Sequence, residues 1–151
     1  MSSLFTLAEL KGFWTLAAKP VPIVIVGGGR WARVWASVIA QARDSGAGIT
    51  VASRHAATQP PEWTDLLTRF PNIKIAPSAS AAFDTQPGIT ATIVASRPQD
   101  HVRDGLEALN FGSNVLVEKP LSPSVSYGRA LVETARKRGR ILVLGTEFAF
   151  L

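Results

Sequence analysis

A short apolar run that meets three glycines constrains the fold more than any other feature of this sequence. Residues 23–26 are Ile-Val-Ile-Val, and residues 27–29 are all glycine. An apolar-periodic segment then begins at Trp31 and continues to Ile39, which is typical of a helix packed on a sheet. Strand, tight turn and helix in this order are the context that a dinucleotide-binding fingerprint requires.

The glycines match the pattern G-x-G-x-x-G/A, in which each small residue has its own task. Gly27 allows the tight turn, Gly29 lets the backbone approach a pyrophosphate, and Ala32 takes the third position, where helix and strand pack closely. The helix that begins near Trp31 presents free N–H groups and a positive dipole end to the phosphates. The alternative is a plain tight turn between a strand and a helix.

Short apolar runs alternate with helical patterns along the rest of the chain. Strands are predicted at residues 23–26, 49–52, 73–76, 90–95, 114–117 and 141–144. Helices are predicted at residues 31–43, after Pro60, at 78–84, from Pro98, and from an N-cap at Ser122 to Arg138. This alternation specifies an α/β fold with a doubly wound parallel sheet of strand order 3-2-1-4-5-6. We expect residues 1–20 to be an N-terminal extension, because their apolar residues have helical spacing, and residues 21–151 to be the domain.

The end of the second strand governs which dinucleotide is preferred. In this fold an Asp or Glu about 20 residues after the fingerprint binds the ribose 2′-hydroxyl of NAD. Ser53 and Arg54 stand there instead, and His55 follows. A carboxylate repels a 2′-phosphate, whereas a hydroxyl beside a guanidinium accepts it. The sequence therefore favours NADP, with NAD as the alternative, and Arg30 is a second candidate for the same phosphate.

Polar and charged residues also follow the fourth and fifth strands. They are Ser96, Arg97 and Pro98 after the fourth strand, and Glu118, Lys119 and Pro120 after the fifth. Because ligands bind outside the carboxyl ends of the strands in open α/β sheets, both groups are placed to meet a cofactor. His101 falls in the first turn of the next helix, where its residue type alone favours a surface or capping histidine.

Composition removes other classes of protein. The 151 residues contain no cysteine, which excludes disulfides, thiolate metal sites and cysteine nucleophiles. The two histidines are far apart and show no metal-ligand spacing. The net charge of +5 allows nucleic-acid binding, but the one basic cluster, at residues 136–140, lies at a predicted helix end. We therefore expect a small anionic ligand and no nucleic acid.

No apolar run is long enough to span a membrane, and the N-terminus lacks the pattern of a signal peptide. We therefore expect a cytoplasmic protein without a membrane partner.

Three motifs stand at the strand ends in matching order. They are Gly27-x-Gly29-Arg30-Trp31-Ala32, Ser96-Arg97-Pro98-Gln99-Asp100-His101 and Val117-Glu118-Lys119-Pro120-Leu121-Ser122. Together they resemble the Gfo/Idh/MocA oxidoreductase family over residues 21–150. The resemblance implies a Rossmann domain of an NAD(P)-dependent oxidoreductase that acts on sugars, polyols or related carbonyl compounds.

The same resemblance implies roles for single residues. Residues of all three motifs, His101 among them, would contact the cofactor. Lys119 would lie between the nicotinamide ribose and the substrate, where it orients the nicotinamide and polarises the reacting oxygen. Glu118 would line the nicotinamide pocket and Pro120 would fix the turn.

The chain departs from the family pattern in two motifs and in length. Ser96-Arg97 stands where the family often has Thr-Pro or Thr-Asn, and residues 146–150 replace an Asn-x-Arg-Phe-like stretch. The second domain, which in the family supplies the substrate pocket and an Asp/His pair, is not in these 151 residues. Three explanations stay open: a fragment or truncated gene product, a separate substrate-domain polypeptide, or a non-catalytic nucleotide-binding or redox-sensing module. Apolar residues near 148–151 also make a homo-oligomer a candidate.

Overall fold

A computed structural model describes residues 21–43, 48–86 and 90–146. In these ranges a six-stranded parallel sheet has the order β3-β2-β1-β4-β5-β6. Its strands are β1 (Ile23–Val26), β2 (Ile49–Ala52), β3 (Lys74–Ala76), β4 (Ala91–Val94), β5 (Asn114–Glu118) and β6 (Leu142–Gly145). The predicted fold class and strand order are confirmed, and each strand end lies within one residue of its prediction. The predicted extension at residues 1–20 and the apolar residues near 148–151 lie outside the described residues.

Six helices connect the strands in the described parts of the chain. They are α1 (Arg30–Ala42), α2 (Arg54–Ala57), α3 (Pro61–Arg69), α4 (Ala79–Asp84), α5 (His101–Asn110) and α6 (Val125–Arg138). The short helix α2 was not expected, because its four residues are too few to show a helical period. It begins directly after Ser53, one of the predicted cofactor residues.

Helix α5 begins three residues later than predicted. Pro98 does not take its first position but lies in a turn, which the Asp100 N–H closes with a 2.8 Å hydrogen bond to the Arg97 carbonyl. The fixed φ of proline suits the second position of a turn as well as the start of a helix. The same local signal therefore allows both structures.

Helix α6 also begins later than predicted. Ser122 is not its N-cap, because the Ser122 hydroxyl accepts a 3.0 Å hydrogen bond from the backbone N–H of Ser124, which takes the N-cap position itself. The hydroxyl therefore forms a local turn of the kind that competes with capping. The predicted end is confirmed, since Gly139 is the left-handed C-cap.

Alternating strand residues face two helical layers. Val24, Val26, Val94 and Val117 pack with buried residues of α4, α5 and α6. Ile25, Val51 and Ile93 pack on the opposite face with α1, α2 and α3. Helix α1 lies close to the sheet because its inner residues, Ala32, Ala36 and Ala40, are small and fully buried. This close packing is the one that the fingerprint predicts at Ala32.

Two further observations hold for residues 21–43, 48–86 and 90–146. No helix there is long and apolar enough to cross a membrane. No group of three histidine or acidic side chains gathers as ligands for a metal ion.

Candidate functional site

The strand order reverses between β1 and β4, and the glycine loop fills the crevice at that point. A Cβ atom on Gly27 would lie 2.5 Å from the carbonyl oxygen of Ala95, just after β4. The φ angle of Gly27 is +131°, a value that side-chain-bearing residues rarely adopt. Only glycine therefore fits this turn, which lies where α/β proteins of this topology bind ligands.

Gly28 is constrained as well, although the fingerprint leaves its position open. A Cβ atom there would overlap the hydroxyl of Ser53 at the end of β2. Its carbonyl accepts a 3.0 Å hydrogen bond from the indole Nε1 of Trp63, a fully buried residue of α3. Trp63, Leu66, Leu67 and Phe70 have the spacing of an apolar helix face that packs in a core. Nothing in the sequence near Trp63 marks its hydrogen bond to the glycine loop.

Gly29 has the opposite environment. Within the described residues nothing lies within 4 Å of the place that a Cβ atom would take. Gly29 is the N-cap of α1. The backbone N–H of Arg33 donates a 3.2 Å hydrogen bond to the Gly29 carbonyl, which is the first bond of the helix. The N–H groups of residues 30–32 therefore have no acceptor within their own helix and border this space. Such a helix start suits a phosphate group.

A cleft of about 260 Å³ opens at the carboxyl ends of β1 to β4. Its walls bring together four residues that the sequence predicts for the site: Gly27, Ser53, Arg54 and Ser96. The opposite wall is formed by Arg103, Asp104 and Glu107 of α5, which sequence analysis missed. Their spacing predicts that they share one face of α5, but the sequence does not predict that this face points toward the strand ends.

The rim at β2 is a hydroxyl and a guanidinium, as predicted. The Ser53 hydroxyl caps α2 by accepting a 3.2 Å hydrogen bond from the Ala56 N–H, and its own O–H remains a donor. Arg54 is exposed at the rim, and neither of these two residues carries a carboxylate.

Asp104, one of the two acidic residues of the α5 wall, is paired with Arg103. Asp104 is buried and accepts hydrogen bonds from the Arg103 Nε and Nη2 atoms at 2.9 and 2.8 Å. Arg103 also lies 3.0 Å from Asp100. The hydrogen bonds to Asp104, and to a smaller extent the charge of Asp100, raise the pKa of the Arg103 guanidinium. The charges of Arg103 and Asp104 therefore compensate each other, and Glu107 adds a second carboxylate to this wall.

Ser96 lines the cleft and carries an unsatisfied hydroxyl. Its Oγ atom is buried and has no hydrogen-bond partner in the part of the chain that the structure describes. A buried polar atom without a partner costs free energy, and a bound ligand could supply the partner. Arg97 points elsewhere: it is exposed and pairs with Asp100 at 3.0 Å, and neither Arg97 nor Pro98 lines the cleft.

Lys119 and Trp31, predicted from two separate motifs, lie together at the end of β5. The Lys119 ammonium Nζ is 5.9 Å from the centroid of the Trp31 ring, within the range of a cation–π contact. Both side chains are exposed. The catalytic candidate therefore lies over the first turn of the helix that would receive the phosphates.

Glu118 holds this turn from inside the protein. It is only 5% exposed, and its Oε1 atom accepts a 2.7 Å hydrogen bond from Trp35 Nε1. Its Oε2 atom accepts a longer bond, 3.3 Å, from the Lys119 N–H. The carboxylate thus binds groups of this domain, and it supports the Lys119 turn.

Comparison with known proteins decides the family. The model of the Gfo/Idh/MocA oxidoreductase family, NAD-binding Rossmann fold, matches residues 21–146. The chain belongs to this family. It is thus an NAD(P)-binding domain of an oxidoreductase family, in agreement with the resemblance carried by the three motifs.

Several solved structures share the fold. GenD2 from gentamicin A biosynthesis, solved in complex with NAD, is 27% identical with a TM-score of 0.69 over 85% of this chain and 35% of its own. A candidate oxidoreductase from Magnetospirillum magnetotacticum MS-1 is 27% identical with a TM-score of 0.69, and the match covers 84% of this chain and 38% of that protein. One from Klebsiella pneumoniae is 26% identical with a TM-score of 0.64, over 83% and 34%. The chain thus spans just over a third of their length. No curated protein matches the sequence.

His101, a member of the second family motif, does not lie where we expected. It is 1% exposed, with Nδ1 2.7 Å from the Pro120 carbonyl oxygen and Nε2 3.1 Å from the Ser96 carbonyl oxygen. Both ring nitrogens therefore face the backbone of this domain. With both ring nitrogens committed to backbone oxygens, direct contact of His101 with the cofactor stays a prediction.

Arg30, predicted as a second partner of the 2′-phosphate, faces a different part of this family domain. It lines a groove of about 490 Å³ between α1 and α3, together with Arg33 and Asp65. It is not among the residues around the cleft that holds Arg54. The two arginines therefore line different hollows of the described surface.

Proposed function

We propose that this chain is the cofactor-binding part of an oxidoreductase that prefers NADP and transfers hydride between the nicotinamide and a sugar, polyol or related carbonyl substrate. The observation that carries the cofactor preference is the rim at β2. Ser53 and Arg54 border the cleft there, where an NAD-preferring domain would place a carboxylate.

The residues present fit a dinucleotide. The open space at Gly29 and the N–H groups at the start of α1 would hold the pyrophosphate. Arg54 would pair with the 2′-phosphate, and the Ser96 hydroxyl would gain the hydrogen-bond partner that it lacks. When bound, the cofactor supplies the hydride chemistry. The domain supplies the charges and donors that orient it.

Lys119 is the candidate catalytic residue. An oxygen that gains negative charge during hydride transfer is stabilised by a cation placed beside it. The Trp31 ring under the ammonium and the buried Glu118 beneath the turn restrict where that cation can lie. A prepositioned charge needs little reorganisation during the reaction, and this is the source of its catalytic effect.

The substrate pocket and the proton-transfer groups would come from outside this chain. The two titratable residues that flank the Lys119 turn, Glu118 and His101, are buried in hydrogen bonds to this domain. The matched part of this chain corresponds to only 35% and 38% of two solved relatives. A substrate domain, in the same or a separate polypeptide, is therefore part of the proposal.

Titration of the purified chain with NADPH and NADH, followed by tryptophan fluorescence, tests the proposal. Trp31 borders the site and should report binding. We expect both dinucleotides to bind and NADPH to bind at least about tenfold more tightly, as expected for one charge-assisted contact. Equal affinities would remove the NADP preference, and binding of neither would remove the function.

A non-catalytic, redox-sensing module is a second candidate. It is favoured because Glu118 and His101 are engaged in hydrogen bonds within the domain, so neither is placed to transfer a proton to a substrate. A sensor must distinguish oxidised from reduced cofactor, so it predicts clearly different affinities for NADP⁺ and NADPH. An enzyme that works in both directions needs no such difference. Titration with both redox forms separates the two candidates.

A further inference from the structure

His101 occupies a position that neither the fold nor the proposed chemistry explains. It is the first residue of α5, and its ring is buried between two backbone segments that contribute opposite sides of the site. One segment follows β4 and carries Ser96; the other follows β5 and carries Lys119. The ring approaches the carbonyl oxygens of Ser96 and Pro120.

We propose that His101 is a positioning residue that links the turn after β4 to the turn after β5 and so sets the place of Lys119 relative to the dinucleotide. The inference rests on the proposed function. It assigns His101 no contact with cofactor or substrate.

The bond to Pro120 is the one that matters. Carbonyl oxygens only accept hydrogen bonds, so the ring must carry a proton on Nδ1 to hold Pro120. The Nδ1–oxygen distance of 2.7 Å is the shorter of the two. Ser96 is only five residues from His101 in the chain, so the contact between them is local. Pro120 is 19 residues from His101 and belongs to the turn after β5. Only the second contact couples the two strand ends.

The turn formed by residues 118–120, which carries Lys119, is thereby held on both sides of the lysine. The residue before Lys119 is held through its side chain by Trp35, and the residue after it is held through its carbonyl by His101. The two holding side chains belong to different helices on opposite faces of the sheet, α1 and α5. Without His101 the Pro120 side of the turn loses its bond to the β4 side.

Nitrogen NMR of the histidine rings tests the bond without any cofactor. The chain has only two histidines, so selective labelling gives two ring systems, and His55→Gln assigns them. We expect Nδ1 of His101 to be protonated and its N–H to exchange slowly with solvent, unlike the exposed ring of His55. An unprotonated Nδ1 at neutral pH would overturn the link.

Binding measurements test the consequence. His101→Phe keeps a ring but donates no hydrogen bond, and we expect it to weaken NADPH binding about threefold, no more than removal of the Lys119 cation does, through lost preorganisation. His101→Gln keeps an N–H donor and should recover part of that loss. Equal affinity of wild type and His101→Phe would overturn the proposal, whereas failure of the wild type to bind would instead remove the proposed function.

Ser113→Ala is the matched control for stability. The Ser113 hydroxyl is buried and also joins β4 to β5, through the Thr90 carbonyl and the Thr92 hydroxyl, but at the opposite end of these strands. Its loss should lower the melting temperature, as loss of the His101 bond does, and leave NADPH affinity unchanged. If Ser113→Ala weakens binding as much as His101→Phe, the role of His101 is only structural and the proposal fails.

Discussion

The indole Nε1 of Trp35 donates a 2.7 Å hydrogen bond to the buried Oε1 of Glu118. The two residues are 83 positions apart in the chain. The bond joins the helix that follows the glycine loop to the turn that carries Lys119. The glycine loop and the Lys119 turn are thereby linked, although they belong to different motifs.

Trp35→Phe should remove the hydrogen bond to Glu118 while an aromatic ring still fills most of the space. The carboxylate of Glu118, which is 5% exposed, loses its indole donor. We expect the free energy of unfolding to fall by about 1–3 kcal/mol and NADPH affinity to fall with it. Urea unfolding measures the first effect. Trp31→Phe, an exposed change on the same helix, is the control for stability, and an equal loss in both variants would contradict the assignment.

The glycine loop allows a sharp contrast between two identical substitutions. Gly27→Ala places a Cβ 2.5 Å from the Ala95 carbonyl at a φ of +131°, so we expect it to destabilise the fold by about 3 kcal/mol or more. Gly29→Ala meets nothing within 4 Å among the described residues. It should leave stability unchanged or raise it by up to about 1 kcal/mol, and yet weaken dinucleotide binding. Thermal melts and titrations distinguish the two effects, and full NADPH affinity in Gly29→Ala would disprove the phosphate role.

Much of the fold was predictable because its signals are local. Each strand is a short apolar run bounded by glycine, proline or polar residues, and all strands of a parallel sheet end at one edge. Because of that shared edge, the order of residues along the chain is enough to place Ser53, Ser96 and Lys119 at the same edge of the sheet. The positions that were predicted less well are helix starts such as α5, where Pro98 suits a turn and a helix equally.

The supporting contacts of the site were not predictable in the same way. Trp63 to Gly28, Trp35 to Glu118 and His101 to Pro120 join residues 35, 83 and 19 positions apart. No local pattern marks a tryptophan as a donor or a histidine as a link between two turns. These bonds arise from the order in which β2, β1, β4 and β5 lie side by side.

Ser96→Ala tests whether the unsatisfied hydroxyl serves a ligand. Because its Oγ atom is buried without a partner in the described structure, its removal should leave the free energy of unfolding unchanged or increase it by about 1 kcal/mol. NADPH affinity should fall by a similar amount. A variant that is less stable but binds normally would show that the hydroxyl has an internal structural role.

Ser53→Asp combined with Arg54→Ala tests the cofactor preference. The aspartate restores an acceptor for a 2′-hydroxyl and repels a 2′-phosphate, and the alanine removes the guanidinium. We expect the ratio of NADPH to NADH affinity to fall by about ten- to a hundredfold. Because Ser53 caps α2 and aspartate is also an N-cap residue, the helix should persist. An unchanged ratio would mean that the 2′-position of the cofactor does not lie at the end of β2.

Lys119→Met separates catalysis from binding. Methionine keeps most of the apolar stem but removes the cation that lies 5.9 Å from the Trp31 centroid. Dinucleotide affinity should change by less than about tenfold, since most binding groups lie elsewhere. Together with its substrate domain, the variant should lose about 10²–10³ in kcat, because stabilisation of the developing negative charge is lost. Lys119→Arg keeps the charge in a larger, planar group, and we expect it to recover only part of the rate. A full rate in Lys119→Met would exclude Lys119 from catalysis and leave it a role in holding the cofactor.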